Sequence, residues 1–361
     1  MDNNNTLVER KKTILFVLPN LEVGGYERIT LSIIRNLDPN AFNVSLLLIE
    51  KKGYFTELIP EFVEIIDLRT KRARNALPRV IKSIRKLKPD IVFSTANRVN
   101  ILVIMASIFV KGFKTVIREP SLPSAQIKNK NLKLIYRVLM SLLYPRADKV
   151  VSQTDEMKNE LIKLFHLKPN IIEVITNPID LKFIDSKIKD EKNPFGKNNI
   201  HVVTIGRISY EKGYDILLES FGKVVKKNNR FKLHFVGKIV DINYKRKLDR
   251  IIFKYNLKDN VNFLGFKKNP YPFLKHADLF VLSSIWEGLP NVVLEALYLK
   301  KPVIATKCVE YIEKIFIHNQ GSLVDVGDVD GLANAILNYK RIEIIDKFKF
   351  ETKYDSFFEG L

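Results

Sequence analysis

Short apolar runs alternate with helix-like patterns along most of this chain, and this alternation limits the fold more strongly than any other feature. A chain that alternates strands and helices forms mostly parallel sheets covered by helices. In the first half, strands are predicted at Thr13–Leu18, Asn43–Ile49, Ile91–Thr95, Thr115–Ile117, Lys149–Ser152 and Ile172–Ile175. Helices are predicted after Gly25, Leu77 and Asn97, near Leu132–Tyr144 and from Asp155 to Phe165.

A second series of the same kind begins at residue 201. Its strands are predicted at 201–205, Lys232–Val236, Asn262–Leu264, Leu279–Leu282, Val303–Ala305 and Ser322–Val324. Its helices are predicted at Tyr214–Val225, Tyr244–Tyr255, Asn291–Leu299 and Val329–Asn338. The two series predict an α/β fold with two Rossmann-like domains that face each other across a cleft. Ligands of such sheets bind beyond the carboxyl ends of the strands.

The length of the chain also supports two domains, because 361 residues exceed the size at which one hydrophobic core usually keeps growing. The segment Leu181–Asn199 is charged, contains Pro and Gly, and is weakly patterned, so we predict the inter-domain linker there. We therefore expect a first domain at residues 1–185, a second at 195–345, and a separate C-terminal segment at 346–361.

The net charge is strongly positive, with 60 Lys and Arg residues against 40 Asp and Glu, or +20. Such an excess attracts nucleic acid, phosphorylated ligands or an anionic membrane surface. Basic residues are concentrated between Arg69 and Lys88, and again between Lys128 and Arg146, where they flank apolar residues. This pattern is typical of a helix at a membrane interface, but an ordinary surface helix has it too, so both interpretations stay open. Nucleic-acid binding is not expected, because no reading motif stands out.

Targeting features point to the cytoplasm. The longest apolar run, Ile101–Val110, is shorter than the ~20 residues that a membrane span needs, and is predicted to be a buried helix. The first residues have no apolar stretch behind a basic start, so a secretory signal is not expected. The single cysteine, Cys308, fits a reducing compartment.

Two basic residues follow the first strand of the second series. Arg207 and Lys212 lie five positions apart in a loop that ends at Gly213. A guanidinium and an ammonium directed at one point neutralise a diphosphate and stabilise its charge as it leaves. The spacing alone is weak evidence, but its place at the first strand-to-helix turn of a domain strengthens it.

The second motif, at residues 284–297, reads Ser-Ile-Trp-Glu-Gly-Leu-Pro-Asn-Val-Val-Leu-Glu-Ala-Leu. If a helix begins near Asn291, Glu295 lies on it and Glu287 lies in the preceding loop. The start of the helix offers backbone N–H groups and a positive dipole end to an anion, and Gly288 lets the backbone approach a ligand. A carboxylate in the first turns of a helix is also ordinary helix electrostatics, so the motif as a whole carries the interpretation.

Together the two motifs resemble those of retaining glycosyltransferases of family four, whose signature is a Glu, seven residues and a second Glu, with an Arg-x4-Lys pair in the same domain. The resemblance implies that Arg207 and Lys212 bind the donor diphosphate. It also implies that Glu295 binds the ribose hydroxyls and that Glu287 contacts the transferred sugar. Further donor contacts in this motif are expected from Gly288, Leu289 and Asn291. The C-terminal segment is expected to cross back to the first domain.

Three other turns are candidate donor contacts, and the first of them resembles a family sequence. Gly24 and Gly25 open a Gly-Gly-x-Glu-Arg sequence after the first strand, and in the family this loop faces the donor across the cleft. Two adjacent glycines permit close backbone approach to a ligand. In the second domain, the turns that contain Gly237 with Lys238, and Phe266, are expected to frame the base of the nucleotide.

The chain departs from the family at one position of the first domain. Many members place a His near the end of a central strand, whereas no histidine occurs here before His166. Arg118 and Glu119 stand in the corresponding segment, and we expect one of them to hydrogen-bond the acceptor or donor. Glu119 is the catalytic candidate, while Arg118 and Asn97 are candidate acceptor contacts.

No metal site is expected. Asp328 and Asp330 match an Asp-x-Asp pattern, but they precede a helical pattern and are predicted to belong to its N-cap region. The five histidines show no ligand spacing, and a single cysteine makes a zinc site improbable. No cofactor is expected beyond the nucleotide-sugar donor itself.

These features predict metal-independent, retaining transfer of a hexose or N-acetylhexosamine from a nucleotide-diphosphate sugar, with UDP as the expected nucleotide. A lipid-linked glycan or a lipopolysaccharide core is the expected acceptor, at the cytoplasmic face of a bacterial membrane to which the enzyme is peripherally bound. Two alternatives stay open: a sugar-nucleotide epimerase of the same architecture, and a non-catalytic polyanion-binding protein.

Overall fold

The computed structural model describes residues 10–22, 24–70, 75–124, 133–318, 321–341 and 353–361. The chain divides into two compact units, one made of Met1–Pro178 with Glu351–Leu361 and the other of Ile179–Phe350. Each unit is built on a parallel β-sheet. The predicted α/β fold with two Rossmann-like units is therefore confirmed.

The first unit contains a seven-stranded sheet in the order β3-β2-β1-β4-β5-β6-β7. The strands are β1 (Lys12–Leu18), β2 (Phe42–Leu48), β3 (Glu64–Asp67), β4 (Ile91–Thr95), β5 (Lys114–Arg118), β6 (Lys149–Ser152) and β7 (Ile172–Val174). The helices are α1 (Gly25–Asn36), α2 (Leu77–Leu87), α3 (Asn97–Phe109), α4 (Lys133–Leu143) and α5 (Asp155–Phe165).

The second unit contains a six-stranded sheet in the order β10-β9-β8-β11-β12-β13. The strands are β8 (Ile200–Ile205), β9 (Phe231–Val236), β10 (Val261–Gly265), β11 (Leu279–Leu282), β12 (Val303–Thr306) and β13 (Ser322–Val324). The helices are α6 (Leu181–Ile188), α7 (Tyr214–Lys227), α8 (Ile242–Lys254), α9 (Tyr271–His276), α10 (Asn291–Tyr298), α11 (Glu310–His318) and α12 (Val329–Leu337).

Apolar strands explain why both sheets lie inside helical layers. In β1, Ile14, Leu15, Phe16 and Leu18 have no exposed surface, and β11 is buried along its whole length. A strand buried on both faces loses water from every side chain, which gives roughly 25 cal/mol for each Å² of apolar surface removed. The period-two pattern of a half-exposed sheet is therefore absent from these central strands.

Each sheet reverses its strand order at one place. The reversal lies between β1 and β4 in the first sheet and between β8 and β11 in the second. Loops that follow the two strands at such a point diverge to opposite faces of the sheet and leave a crevice at its carboxyl edge. In this chain those loops carry the Gly24-Gly25 turn, Asn97, the Arg207–Lys212 pair and the Glu287 motif.

The C-terminal segment ends in α13 (Tyr354–Glu359), which lies against the first sheet. The Phe358 ring meets Phe16 of β1 and Phe93 of β4 edge-on, with centroids 6.1 and 5.7 Å apart. Lys12 Nζ donates to the carbonyl oxygens of Phe358 and Glu359 at 3.3 and 2.5 Å. The resemblance assigned residues 346–361 to this domain; of these, 346–352 lie outside the described residues.

Several elements differ from the sequence predictions. Leu181–Ile188, interpreted as part of a linker, forms α6, because the Asp180 carboxylate accepts from Phe183 N at 2.9 Å and Ile184 packs in a core of the second unit. Strand β3 was missed because its side chains are mostly exposed and two of its four residues are charged. Helices α9 and α11 were also missed. In addition, the run Ile101–Val110 is buried only in part, since Ile108 and Phe109 are exposed.

Candidate active site

Two loops of the second unit are joined at the point where its sheet reverses. One follows β8 and runs from Gly206 to Gly213, and the other follows β11. Ile285 N donates to Glu211 O at 2.8 Å, and Ser283 Oγ donates to Lys212 O at 2.9 Å. Gly213 has φ +59, and a Cβ there would lie 2.1 Å from Ser283 O. Glycine is therefore needed for this close approach between the two loops.

Lys212 and Glu287 form a largely buried ion pair between these loops. Lys212 Nζ lies 2.6 Å from Glu287 Oε1, and both side chains are 15% exposed. Ser284 Oγ donates to the same carboxylate oxygen at 2.6 Å. Burial alone would lower the pKa of Lys212, but the Glu287 carboxylate outweighs it and the pKa is raised. The ammonium is thus charged at neutral pH, as a group that binds a diphosphate must be.

Arg207 forms the second ion pair of the site, on its solvent side. Its Nη2 donates to Glu211 Oε1 at 3.1 Å, and the Arg207 side chain is 54% exposed. Ser209 Oγ donates to the same oxygen of Glu211 at 2.6 Å. The Tyr210 ring lies beside Trp286, with centroids 5.8 Å apart. The predicted cations therefore lie in one joined pair of loops, each paired with a carboxylate.

Glu295 lies on a helix and Glu287 in the loop before it, as the sequence predicted. Helix α10 begins at Asn291, directly after the buried residues Gly288, Leu289 and Pro290. The Glu295 side chain is largely buried, and Tyr271 Oη donates to its Oε1 at 3.5 Å. The Glu295 carboxylate therefore lies on the buried face of α10, one turn after the helix begins.

Two further turns of the second unit lie next to the Gly206 loop. Gly237 N donates to Gly265 O at 2.9 Å, and a Cβ on Gly237 would lie 1.8 Å from Gly206 O. Ile208 N donates to Lys238 O at 2.8 Å. Phe266 follows Gly265 and is partly exposed. The turns predicted to frame a base are thus adjacent to the loop that carries Arg207.

The Asp-x-Asp pattern has a structural explanation. Asp328 Oδ1 accepts from Gly331 N at 2.8 Å and caps α12, and Asp330 pairs with Lys223 at 2.7 Å. The N-cap interpretation of Asp328 is therefore confirmed. Within the described ranges, no group of three or more His, Cys, Asp or Glu side chains could hold a metal ion.

In the first unit, the Gly24-Gly25 turn begins α1 at the end of β1. Gly24 has extended backbone, φ −158 and ψ 165, and a Cβ there would lie 2.1 Å from Glu27 Oε2. A Cβ on Gly25 would meet open space. Glycine at 24 thus makes room for the buried Glu27 carboxylate, whereas Gly25 leaves free backbone surface.

Gly53 supports the same region, although no sequence motif marks it. Gly53 has φ +116, and a Cβ there would lie 2.0 Å from Leu21 O in the loop after β1. Leu21 N donates to Lys52 O at 2.9 Å. A single glycine in a polar stretch carries no motif, so this contact is visible only in the fold.

Arg118 and Glu119 lie together at the end of β5, but neither reaches solvent. Both are 0% exposed. Arg118 donates to Asn177 Oδ1 and to Thr95 Oγ1, the latter at 3.4 Å. Glu119 Oε2 accepts from Tyr144 Oη at 3.2 Å. The expected direct contact of Arg118 or Glu119 with a substrate is not available in this arrangement, because the fold encloses both side chains.

The remaining members of this buried polar network come from several other elements and loops. Asn97 Nδ2 donates to Glu119 Oε1 at 3.3 Å, and Asn97 itself is partly exposed. The others, missed by the sequence analysis, are Ser94, Asn100, Tyr144, Gln153 and Asn177. Burial, followed by the Glu119 carboxylate, raises the pKa of Tyr144 well above its ordinary value. Of the three residues predicted for this site, Arg118 and Glu119 are buried, whereas Asn97 is partly exposed to solvent.

Sequence models of known families match both units of the chain. The model described as Glycosyltransferase Family 4 matches residues 23–183, and the model described as Glycosyl transferases group 1 matches residues 185–347. The chain belongs to glycosyltransferase family 4. The resemblance noted from the Arg207 and Glu287 motifs is therefore confirmed.

Similar proteins include glycosyltransferases of lipid-linked and capsular glycans. An uncharacterized glycosyltransferase of Methanocaldococcus jannaschii is 32% identical over 240 residues, which is 64% of this chain and 58% of that protein. The N-acetylgalactosamine-N,N'-diacetylbacillosaminyl-diphospho-undecaprenol 4-alpha-N-acetylgalactosaminyltransferase of Campylobacter jejuni is 27% identical, over 87% of this chain and 86% of that enzyme.

The fold of this family 4 glycosyltransferase is similar to the folds of solved protein structures. Anabaena HepE, crystallised with UDP and glucose, superposes with a TM-score of 0.76 at 20% identity, over 91% of this chain and 89% of that one. Within the described residues, none of the helices is both long and apolar enough to cross a membrane.

Proposed function

We propose that this family 4 glycosyltransferase transfers a hexose or N-acetylhexosamine from a UDP-sugar to a lipid-linked glycan, without a metal ion and with retention at the anomeric carbon. The observation that carries the proposal is the pair of cations, Arg207 and Lys212, at the sheet reversal of the second unit. The positive charge of both side chains is suited to stabilise a leaving diphosphate.

The roles proposed for the other residues combine the family resemblance with their positions in the second unit. Glu287, 2.6 Å from Lys212, is close enough to contact a sugar attached to the diphosphate. The ribose role of Glu295 is the one that the resemblance implies for this largely buried carboxylate, and the start of α10 offers backbone N–H groups for phosphate oxygens. Attack from the same face as the leaving group, with the diphosphate accepting the proton of the acceptor hydroxyl, gives retention without a carboxylate nucleophile.

The proposed donor and acceptor classes are supported by relatives. HepE was crystallised with UDP, and an Escherichia coli enzyme 25% identical to this chain is a UDP-Gal:alpha-D-GlcNAc-diphosphoundecaprenol galactosyltransferase. The Campylobacter jejuni relative likewise acts on a diphospho-undecaprenol substrate. A diphosphate-linked polyprenyl glycan is therefore the acceptor class that we propose.

Such an acceptor requires the enzyme to work at a membrane surface. Exposed apolar side chains occur on α3 and α4, which contact each other: Ile108, Phe109, Val138 and Leu142 are 44, 58, 47 and 65% exposed. Exposed basic residues on or beside the same helices are Arg85, Lys111, Arg137 and Arg146. Apolar groups that enter the interface, surrounded by cations that attract anionic lipids, are typical of peripheral membrane binding.

The decisive experiment is a two-part assay. First, melting temperatures are measured with UDP, GDP, ADP and their sugar conjugates, with EDTA and then with magnesium. Stabilisation by uridine nucleotides in EDTA supports the donor site, since a ligand that binds the folded state raises the melting temperature. Second, the responding UDP-sugar is incubated with a short-chain polyprenyl-diphosphate glycan, and the product anomer is assigned by NMR.

Other outcomes would replace the proposal. Conversion of the UDP-sugar without any glycan product would favour an epimerase. Silence of the folded protein to all nucleotides, with salt-sensitive binding of DNA, would favour a polyanion-binding protein. Membrane association is tested separately with vesicles containing phosphatidylglycerol: Phe109→Ser/Leu142→Ser should reduce binding, whereas the same change at exposed Phe253 of the second unit should not.

A further inference from the structure

The two cations of the second unit share one local design. Lys212 Nζ and Ser284 Oγ both donate hydrogen bonds to Glu287 Oε1, each at 2.6 Å. Similarly, Arg207 Nη2 and Ser209 Oγ both donate hydrogen bonds to Glu211 Oε1, at 3.1 and 2.6 Å. Each cation is thus held by a carboxylate that a serine hydroxyl fixes in place, but the motif resemblance gave no role to Glu211 or Ser209.

We propose that Glu211 is a positioning residue that sets the orientation of the Arg207 guanidinium toward the donor diphosphate, with Ser209 holding the Glu211 carboxylate. The inference rests on the proposed function, since it concerns the same donor site. It adds a residue that acts through Arg207 and does not itself touch the substrate.

The backbone of Glu211 is fixed independently of its side chain. Its carbonyl oxygen accepts from Ile285 N at 2.8 Å, in the loop that also carries Glu287. The Glu211 side chain is 23% exposed, compared with 54% for Arg207. Glu211 is therefore held both at its backbone carbonyl and at its carboxylate, and it gives rigid support to the longer and more exposed Arg207 side chain.

The guanidinium keeps donors available for a ligand. Within the described residues, its side-chain hydrogen bond uses Nη2 alone. An arginine has five N–H donors in a planar fork, which suits two-point binding of a phosphate. Holding one corner of the fork on Glu211 leaves the other donors on the exposed side, already oriented before the donor arrives.

Charge and orientation make opposite predictions for Glu211→Gln. The two carboxylates balance the two cations, so removal of the Glu211 charge makes the site more attractive to UDP in the ground state. The same change frees the guanidinium from its orientation, which costs rate at the transferring step. Glu211→Gln should therefore bind UDP as tightly as wild type or more tightly, while kcat falls roughly tenfold or more.

Calorimetric titration of UDP, steady-state kcat and donor KM, and melting temperature are measured for Glu211→Gln and Ser209→Ala. Ser209→Ala keeps the net charge and removes the support of Glu211, so kcat should fall by a smaller factor with UDP affinity unchanged. Asp330→Asn is the matched control, because it removes the carboxylate of an exposed pair with Lys223, 2.7 Å apart, and all its parameters should stay at wild-type values.

An unchanged kcat in Glu211→Gln would overturn the inference. So would a parallel loss of UDP affinity, kcat and melting temperature, since that result describes a merely structural residue. The proposed function fails in a different way: wild-type protein would then neither bind UDP nor transfer sugar, and the inference would fall with it.

Discussion

The carboxyl ends of the two sheets carry polar groups of different kinds. In the first unit, Arg118 and Glu119 are fully buried and hydrogen-bonded to amides and hydroxyls from several elements. In the second unit, Arg207 and Lys212 are each paired with one carboxylate, and Arg207 is more than half exposed. A cation with one such partner can exchange it for a phosphate, whereas the enclosed network cannot open without loss of packing. We therefore expect the cations of the second unit to bind a ligand and the buried pair of the first unit to support the fold.

The largest expected effect is on activity, at Lys212. Lys212→Gln removes the ammonium that would stabilise the leaving diphosphate, so kcat should fall by roughly 10²–10³-fold. The melting temperature should also fall, because Glu287 keeps the Ser284 hydroxyl but loses the cation of a largely buried ion pair. Lys223→Gln, which alters an exposed pair, is the control. Retention of more than a tenth of wild-type kcat in Lys212→Gln would contradict the assignment of charge stabilisation to this residue.

At Arg118 we expect a loss of stability without a loss of UDP affinity. Arg118→Ala leaves a cavity and strands Asn177 Oδ1 and Thr95 Oγ1 in a buried site, so the free energy of unfolding should fall by about 3–4 kcal/mol. UDP affinity should remain at the wild-type value. Urea denaturation and calorimetry measure the two quantities, with exposed Arg146→Ala as the control. If Arg118→Ala loses activity without losing stability, Arg118 acts on the substrate and is not a structural residue.

The sequence predicted the arrangement at the second sheet better than the arrangement at the first. Arg207, Lys212 and Glu287 are recognisable because short motifs place them directly after apolar strands. Their pairing is not recognisable, since Lys212 and Glu287 are 75 positions apart and the contact depends on two loops that the sheet brings together.

The burial of Arg118 and Glu119 could not be predicted. A charged pair that ends an apolar strand has the same pattern whether solvent or a polar network covers it. Here the cover comes from Asn97 and Tyr144 with Gln153 and Asn177, which belong to different elements. Asn100 gave the one local signal, as an amide within an apolar helical run. Helix α6 was missed for a similar reason, because its apolar face is short and its contacts are distant in sequence.

The two sheets also differ in the polar groups near their amino ends. Asp90 and Asp148 accept from the N–H groups of Thr13 and Thr115 in the first unit, each at 2.8 Å. In the second unit, the rings of His201 and His234 are buried side by side, with Nδ1 and Nε2 3.0 Å apart. Burial, then the neighbouring His201 and Lys232, lowers the pKa of His234 from 6.5 to about 4.

This lowered pKa gives the sign of the pH dependence. Between pH 6.5 and about 4 the unfolded chain binds a proton at His234 that the folded protein does not. The free energy of unfolding should therefore be fully retained above pH 6.5 and fall by about 3 kcal/mol as the pH drops to 4. Urea titrations across this range measure it, and His234→Gln should flatten the curve relative to wild type. An equally steep decline in the variant would assign the acid sensitivity to other groups.

The smallest expected effect compares one hydroxyl in the enclosed network with one at the surface. Tyr144 is fully buried, and its hydroxyl both donates to Glu119 Oε2 at 3.2 Å and accepts from Asn100 Nδ2 at 3.3 Å. Tyr144→Phe leaves both groups without this partner in a site that water does not reach, so the free energy of unfolding should fall by about 1–2 kcal/mol. Tyr298→Phe is the matched control, since its hydroxyl donates to Asp185 at 2.8 Å on an exposed surface where water replaces it. Equal changes in the two variants would mean that the Arg118–Glu119 network is open to water, and that its side chains belong with the exchangeable groups of the second unit.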